Sequence, residues 1–339
     1  MSRTDAVDPV TAALFPLRIE NGGANELLAG LPPYALCAQA EPRALVAANP
    51  VFDYAVTNVD LKAVEALVES LPDGIEAIVG LGGGQAMDNA KFLAWRTGLP
   101  LYQLPTIVSV DAPFTEEVGV RAAGRVRYVG SVRPTQVVVD PAIVRQAPPS
   151  LNRAGVAEII SCHTATWDWS NARERGLGKP WDERYAELGR ELLAELTVAA
   201  PDVHAVSDDG VRFLARALQR IGAGCTAAGH PSFQEGCEHA FAYVFEWLTG
   251  EHRVHGELVA CGAAGLSVVQ GNAPERVRAW AEASGCRFRA ADLGIDRALC
   301  HHILRELASY AEAESFYPTV IDTATFDDAT CDAVWQAIA

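Results

Sequence analysis

Short apolar runs of β-forming residues alternate with segments of helical periodicity through about the first 145 residues. Tyr34–Ala38, Phe52–Thr57, Ile75–Val79, Pro100–Leu104 and Gln136–Asp140 are predicted strands. Leu61–Leu71 carries apolar residues at helical spacing, and a helix is expected from about Gln85 to Trp95. Strands separated by helices predict a parallel sheet with crossover connections. Val118–Val132, with Gly124 between two β-like runs, predicts a hairpin insertion. Pro141 opens a further helix-like segment, and Pro148-Pro149-Ser150 marks a boundary. From Leu151 the chain turns rich in Ala, Leu, Glu and Arg with amphipathic periodicity and few strand signals. The predicted architecture is an α/β Rossmann-like parallel-sheet domain over 1–150 followed by an all-α domain over 151–339.

Charge and composition narrow the function classes. The formal net charge of −16 over 339 residues argues against non-specific binding to nucleic acid or anionic membranes. Met1–Pro9 is polar, so no signal peptide is expected. Leu258–Val269, the longest apolar stretch, is too short to span a bilayer and reads as a buried helix. The eight cysteines form no C-x-x-C pair and several lie in apolar helical contexts. Buried thiols in a reducing cytoplasm are therefore expected rather than disulfides.

Five segments could carry chemistry. Ile75–Val79 runs into Gly82-Gly83-Gly84 and then a helix. Glycines admit close backbone approach, and a helix start presents unpaired N–H groups to an anion such as a pyrophosphate. Taken alone, the same segment serves equally as a tight strand-to-helix turn. Pro105-Thr106-Ile-Val-Ser109-Val-Asp111-Ala-Pro follows a predicted strand, at the sheet edge where open α/β proteins bind ligands, although Asp111 could be a turn residue. Glu158, in Ala154-Gly-Val-Ala-Glu158, stands among apolar neighbours and needs a cation, several donors or the helix dipole. His239 and His255 each head an apolar helix, and a buried imidazole needs partners on both nitrogens, of which a metal can be one. Their spacing of 16 residues fits no one-helix metal motif.

In order, these segments resemble the dehydroquinate synthase-like and iron-dependent (group III) alcohol dehydrogenase superfamily. Glycerol dehydrogenases and sn-glycerol-1-phosphate dehydrogenases look nearest. The family's G-G-G-S/K-x-x-D-x-A-K turn is matched by Gly82, Gly83, Gly84, Gln85, Asp88, Ala90 and Lys91. Its P-T-x-x-S-x-D-A-P stretch is matched by Pro105, Thr106, Ser109, Asp111, Ala112 and Pro113. Val139-Asp140 through Ala154-Gly155-Val156 is similar to the family's approach to its helical domain, and His255-Gly256-Glu257 through Gly262 to a later helix. The resemblance spans roughly residues 15–270. It implies NAD or NADP bound by Gly82, Gly83, Gly84, Gln85, Asp88 and Lys91, with Thr106 and Ser109 along the cofactor. It also implies one divalent metal held by Glu158, His239 and His255, zinc first, iron or nickel alternatively. The implied reaction interconverts an alcohol and a carbonyl on a small polyol or glycerol(-phosphate)-like substrate in a cleft between the domains. Asp111 would position that substrate or relay its proton, and His230 is a weaker polar contact. A cytoplasmic homo-oligomer is the expected assembly.

Several positions depart from the family pattern. Its dehydrogenases usually carry Asp where Glu158 stands, whereas its synthases carry Glu. Asp168-Trp169 and Gly236-Cys-Glu-His239 resemble the glycerol-1-phosphate branch, but Cys162, Ser161 and Tyr243 replace family Lys, Lys and His residues. A synthase-like cyclase using transient NAD oxidation is thus the first rival reading, and a non-catalytic dinucleotide-binding protein the second. The segment between about Ala38 and Phe52 is short, so NAD cannot be told from NADP there.

Overall fold

Along adjacent strands, Leu36, Ala38, Val79 and Leu81 pack in one apolar cluster while Ala35, Cys37 and Ile78 pack in another. This alternation is the two-residue period of a strand, with both sheet faces buried. In the computed structural model, which describes residues 8–339, the strands are β1 (Leu17–Ile19), β2 (Tyr34–Ala38), β3 (Phe52–Ala55), β4 (Ala77–Gly82), β5 (Leu101–Pro105), β6 (Glu117–Ala122), β7 (Arg125–Ser131) and β8 (Gln136–Val139). Six form one sheet in the order β1-β8-β5-β4-β2-β3. Every pairing in it is parallel.

Strands β6 and β7 form the predicted hairpin, antiparallel and joined by Ala123 and Gly124, both at positive φ. Two successive left-handed residues are what a two-residue turn needs to match strand twist. β1 has no counterpart among the predicted strands. Its three half-buried residues are too few for periodicity to register, and pairing of Leu17 with Val137 draws them onto the sheet. β4 begins two residues later than Ile75 and continues into the glycines. The helix after it spans Gly84–Thr97 and buries Ala86, Met87, Ala90, Leu93 and Ala94 against the sheet.

After β8 the described residues contain helices and no strand. The described chain divides into two compact units. One runs to Pro148 and includes Leu218–Ala227; the other comprises Pro149–Ala217 and Ala228–Ala339. The helical half is therefore not one continuous segment. Within the first unit, a Cβ on Gly222 would run into the carbonyl of Phe114, and Gln219 Nε2 donates to the carbonyl of Phe15 at 2.7 Å. These contacts bind the end of helix Asp208–Ala228 to the sheet unit.

All eight cysteines are buried and free. Among the described residues no helix is long and apolar enough to cross a membrane. Residues 1–7, most of the segment read for a signal peptide, lie outside the described residues.

Candidate functional site

Register brings the two ligand-edge segments of the sheet together. Gly82 at the end of β4 pairs with Pro105 at the end of β5, and the N–H of Thr106 donates to the Gly82 carbonyl at 2.9 Å. Gly82 has φ +144°, and a Cβ there would lie 2.5 Å from Gln39 Oε1 and 3.0 Å from the Ala86 methyl. Backbone conformation and crowding both require glycine at this position. The Gly83 N–H donates to Gln39 Oε1 at 2.8 Å, so the residue after β2 closes one side of the turn. Gly84 and Gln85 then head the helix, where N–H groups have no intrahelical acceptor and the dipole favours an anion. The turn follows β4, which lies beside β2 where the strand order reverses, the usual ligand crevice of an open α/β sheet. Thr106 and Ser109 are buried in the neighbouring loop. Asp111 is half-buried and caps the short 3-10 turn Ala112–Phe114, accepting the Phe114 N–H on its carbonyl.

Asp88 and Lys91 follow on the same helix and pair with each other. Lys91 Nζ lies 2.9 Å from Asp88 Oδ1 and donates to the Glu117 carbonyl at 2.5 Å, with 1% of the side chain exposed. Thr115 Oγ1 is a longer contact at 3.4 Å. These contacts give Lys91 a structural role in the protein alone, beside the cofactor role expected of it. Its ammonium holds β6 against the glycine-turn helix.

The second constellation lies wholly in the helical unit. Glu158 is in the first turn of helix Val156–Glu174, His239 in the first turn of Cys237–Thr249, and His255 begins His255–Gln270. Close helix approach assembles them. A Cβ on Gly256 would meet the Ala154 carbonyl, which seats His255 beside the start of the Glu158 helix. A Cβ on Gly262 would lie 2.7 Å from the Glu238 carbonyl, where the two histidine-bearing helices cross. One donor atom from each of Glu158, His239 and His255 lies within 4.8 Å of the others. His239 Nε2 is 3.4 Å from Glu158 Oε2, and His255 Nε2 is 3.9 Å from Glu158 Oε1.

Electrostatics explains what the cluster needs. Burial alone would raise the Glu158 carboxyl, but His239, His255 and the Gln234 amide outweigh it and hold it below the usual carboxylate range. Burial would lower His239, but Glu158 and Glu238 outweigh that and raise it well above the ordinary imidazole range. Donor atoms that face one another in a buried site repel unless a cation lies among them. A divalent ion among the three donors would satisfy them together. Two imidazoles and a carboxylate are a donor set that zinc, iron or nickel accepts with coordination positions to spare.

The neighbours were mostly invisible in the sequence. Gln234 Nε2 donates to Glu158 Oε2 at 2.6 Å. Glu238 Oε1 lies 2.8 Å from His239 Nδ1. Tyr243 stacks on His255 with ring centroids 5.9 Å apart and donates to Glu235, which Tyr317 also contacts. Glu235 is pushed up by burial. For Glu238 the sequence offered its place just before a histidine at an apolar helix start and the Gly236-Cys-Glu-His239 resemblance. His230 sets its ring against Trp169 at 5.2 Å and its Nδ1 accepts the Ser232 N–H. Burial, with the Lys179 charge, lowers it.

Residues 39–148 match the sequence profile of a family described as iron-containing alcohol dehydrogenase. The glycerol-1-phosphate dehydrogenase (NAD(P)+) of Thermococcus kodakarensis is 30% identical over 238 residues, covering 70% of this chain and 67% of its own length. That of Sulfurisphaera tokodaii is 30% identical over 234 residues, covering 67% of this chain and 65% of its own. The chain thus spans about two thirds of the length of these curated relatives. Among solved structures, a probable glycerol dehydrogenase from Sinorhizobium meliloti superposes with TM-score 0.72 at 24% identity over 95% of both chains. An iron-containing alcohol dehydrogenase from Corynebacterium glutamicum gives TM-score 0.72 at 16% identity over 100% of this chain and 98% of its own. At these identities the solved structures speak to the fold.

Proposed function

The chain belongs to the iron-containing alcohol dehydrogenase family, and from that premise we propose that it is a metal-dependent, NAD(P)-linked dehydrogenase interconverting an alcohol and a carbonyl on a small polyol or glycerol-phosphate-like substrate. The observation that carries the metal half of this reading is the convergence of Glu158, His239 and His255 in a buried cluster. When bound, a divalent ion would polarise the substrate oxygen and the nicotinamide would exchange the hydride.

The chain's own residues supply binding, orientation and exclusion of water. Glu158, His239 and His255 would hold the ion. Gln234 fixes Glu158 by donating to Oε2. Tyr243 covers one face of His255 and restricts water there. Gly82, Gly83, Gly84 and Gln85 would receive the pyrophosphate, a reading supported by the tight Gly82 backbone and the helix start behind it. Thr106 and Ser109 would lie along the cofactor, supported by the Thr106–Gly82 backbone bond that joins their loop to the turn. Asp111 would position the substrate or relay its proton, a role supported by the motif it shares with the family. Zinc is the first choice for the ion. A cytoplasmic setting without nucleic-acid or membrane binding is part of the proposal, supported by the net charge of −16 and the buried free thiols; a homo-oligomer is expected from the family resemblance alone.

The deciding experiment is steady-state NAD(P)H formation with glycerol-like polyols and their phosphates, before and after chelation and with zinc or ferrous iron restored. Metal-dependent, stoichiometric reduction of NAD(P) is expected. Glu158, in place of the dehydrogenases' usual Asp, keeps the cyclase alternative in view. Product formed over many turnovers with no net NAD(P)H would overturn the dehydrogenase reading in its favour.

A further inference from the structure

Glu238 is fully buried and one residue before His239, yet its carboxylate clusters with Asp168 and Cys237 rather than with Glu158, His239 and His255. Four donors converge on its carboxylate, the most distant of them Cys237 Sγ at 4.0 Å from Oε2. The Gly236 N–H donates to Oε1 at 2.6 Å, Thr164 Oγ1 donates to Oε2 at 2.7 Å, and His239 Nδ1 lies 2.8 Å from Oε1. A carboxylate has acceptors only, so His239 Nδ1 must carry the hydrogen in that bond. In the neutral ring Nε2 is then the lone-pair atom, and Nε2 is the atom facing Glu158 at 3.4 Å. Adjacent residues of a helix ordinarily point to different sides. Here the first turn of the helix and the Thr164 hydroxyl from a second helix hold the carboxylate on the rear of its neighbour's ring.

We propose that Glu238 is the positioning residue of the metal centre. It selects the tautomer of His239, fixes the ring plane and, through its negative charge, strengthens Nε2 as a donor. Thr164 has the supporting role of holding Glu238. This inference rests on the reading of Glu158, His239 and His255 as metal ligands, and it concerns affinity for the ion rather than the identity of the substrate.

The test is a competition titration of the metal-free protein with zinc and a chromophoric chelator, together with the visible absorption of its cobalt(II) form. Glu238→Gln preserves size and an acceptor oxygen but removes the charge. The expected result is about 10–100-fold weaker zinc binding and an altered cobalt spectrum. Thermal stability and helical circular dichroism of the metal-free variant should remain near those of the parent. Thr164→Val should weaken zinc in the same direction by less, and serves if Glu238→Gln does not fold. Equal zinc affinity in parent and variants would overturn the proposal. Failure of the parent itself to bind zinc or cobalt would instead remove the ligand reading beneath it.

Discussion

Asp168 Oδ2 accepts the backbone N–H of Cys237 at 2.9 Å, so the helix carrying His239 is capped by a side chain from another helix. The residue in the cap position, Gly236, makes no side-chain cap bond. The other oxygen of Asp168 accepts the Val320 N–H at 2.8 Å, tying a distant 3-10 turn to the same point. Asp168 therefore anchors the first turn of the His239 helix.

This anchorage carries a pH signature. Burial, then the Glu238 charge, pushes Asp168 up to about 7 from an ordinary 3.8. A carboxyl raised on folding contributes stability that is fully present below about pH 4 and is lost as pH rises through about 7. That interval corresponds to at most ~4 kcal/mol, and relaxation around the charge reduces it. In metal-free protein, the stability difference between parent and Asp168→Asn, measured by urea unfolding, should shift in favour of the variant between pH 4 and 7. A difference that stays constant across that range would remove Asp168 as its source.

His239→Ala and His255→Ala should each abolish stoichiometric metal binding and lower turnover by on the order of a thousandfold, the equivalent of several kcal/mol of lost transition-state stabilisation. NAD(P) affinity should persist, because the glycine turn belongs to the other unit. Elemental analysis and cofactor fluorescence titration report the two quantities separately. Full metal occupancy in either variant would sink the ligand assignment.

For the parent, removing the ion with a chelator should lower the midpoint of thermal unfolding. A ligand present at a hundredfold excess over its Kd stabilises the folded state by about 2.7 kcal/mol. Readdition of zinc should restore the midpoint. Identical melting with and without chelator would count against an ion within the Glu158 cluster.

Gly82→Ala places a methyl group 2.5 Å from Gln39 Oε1 on a backbone at φ +144°. The expected cost is about 1–3 kcal/mol of stability, accompanied by at least tenfold weaker NAD(P) binding as the turn shifts. Calorimetry and cofactor titration give both values. Unchanged cofactor affinity in a folded variant would separate this turn from the pyrophosphate.

Lys91→Met should behave in the opposite sense. It removes the partner of Asp88 and the donor to Glu117, for an expected loss of roughly 2 kcal/mol, below the 3–5 of a fully buried pair because Asp88 retains some solvent contact. NAD(P) affinity should change little once the protein is folded. A tenfold or larger loss of affinity at unchanged stability would assign Lys91 to the cofactor site.

The residues that were legible in advance are those whose signal is local. The strands at Tyr34–Ala38 and Leu101–Pro105, the hairpin around Gly124 and the glycine turn at 82–84 are written in consecutive side chains, because strand period and turn chemistry act over a few residues. Glu158, His239 and His255 could be nominated by their apolar settings and joined through family order, but their spacing alone could not bring them together. Tertiary packing decided that convergence: helices approach where Gly256 meets the Ala154 carbonyl and Gly262 meets Glu238, contacts between positions far apart in sequence. It also decided that Lys91 serves the hairpin and that Glu238 stands behind His239. By itself the sequence determined the sheet, the turn and the inventory of donors. Which polar groups share one buried volume was settled only by folding, because a buried charge takes its role from neighbours that other helices supply.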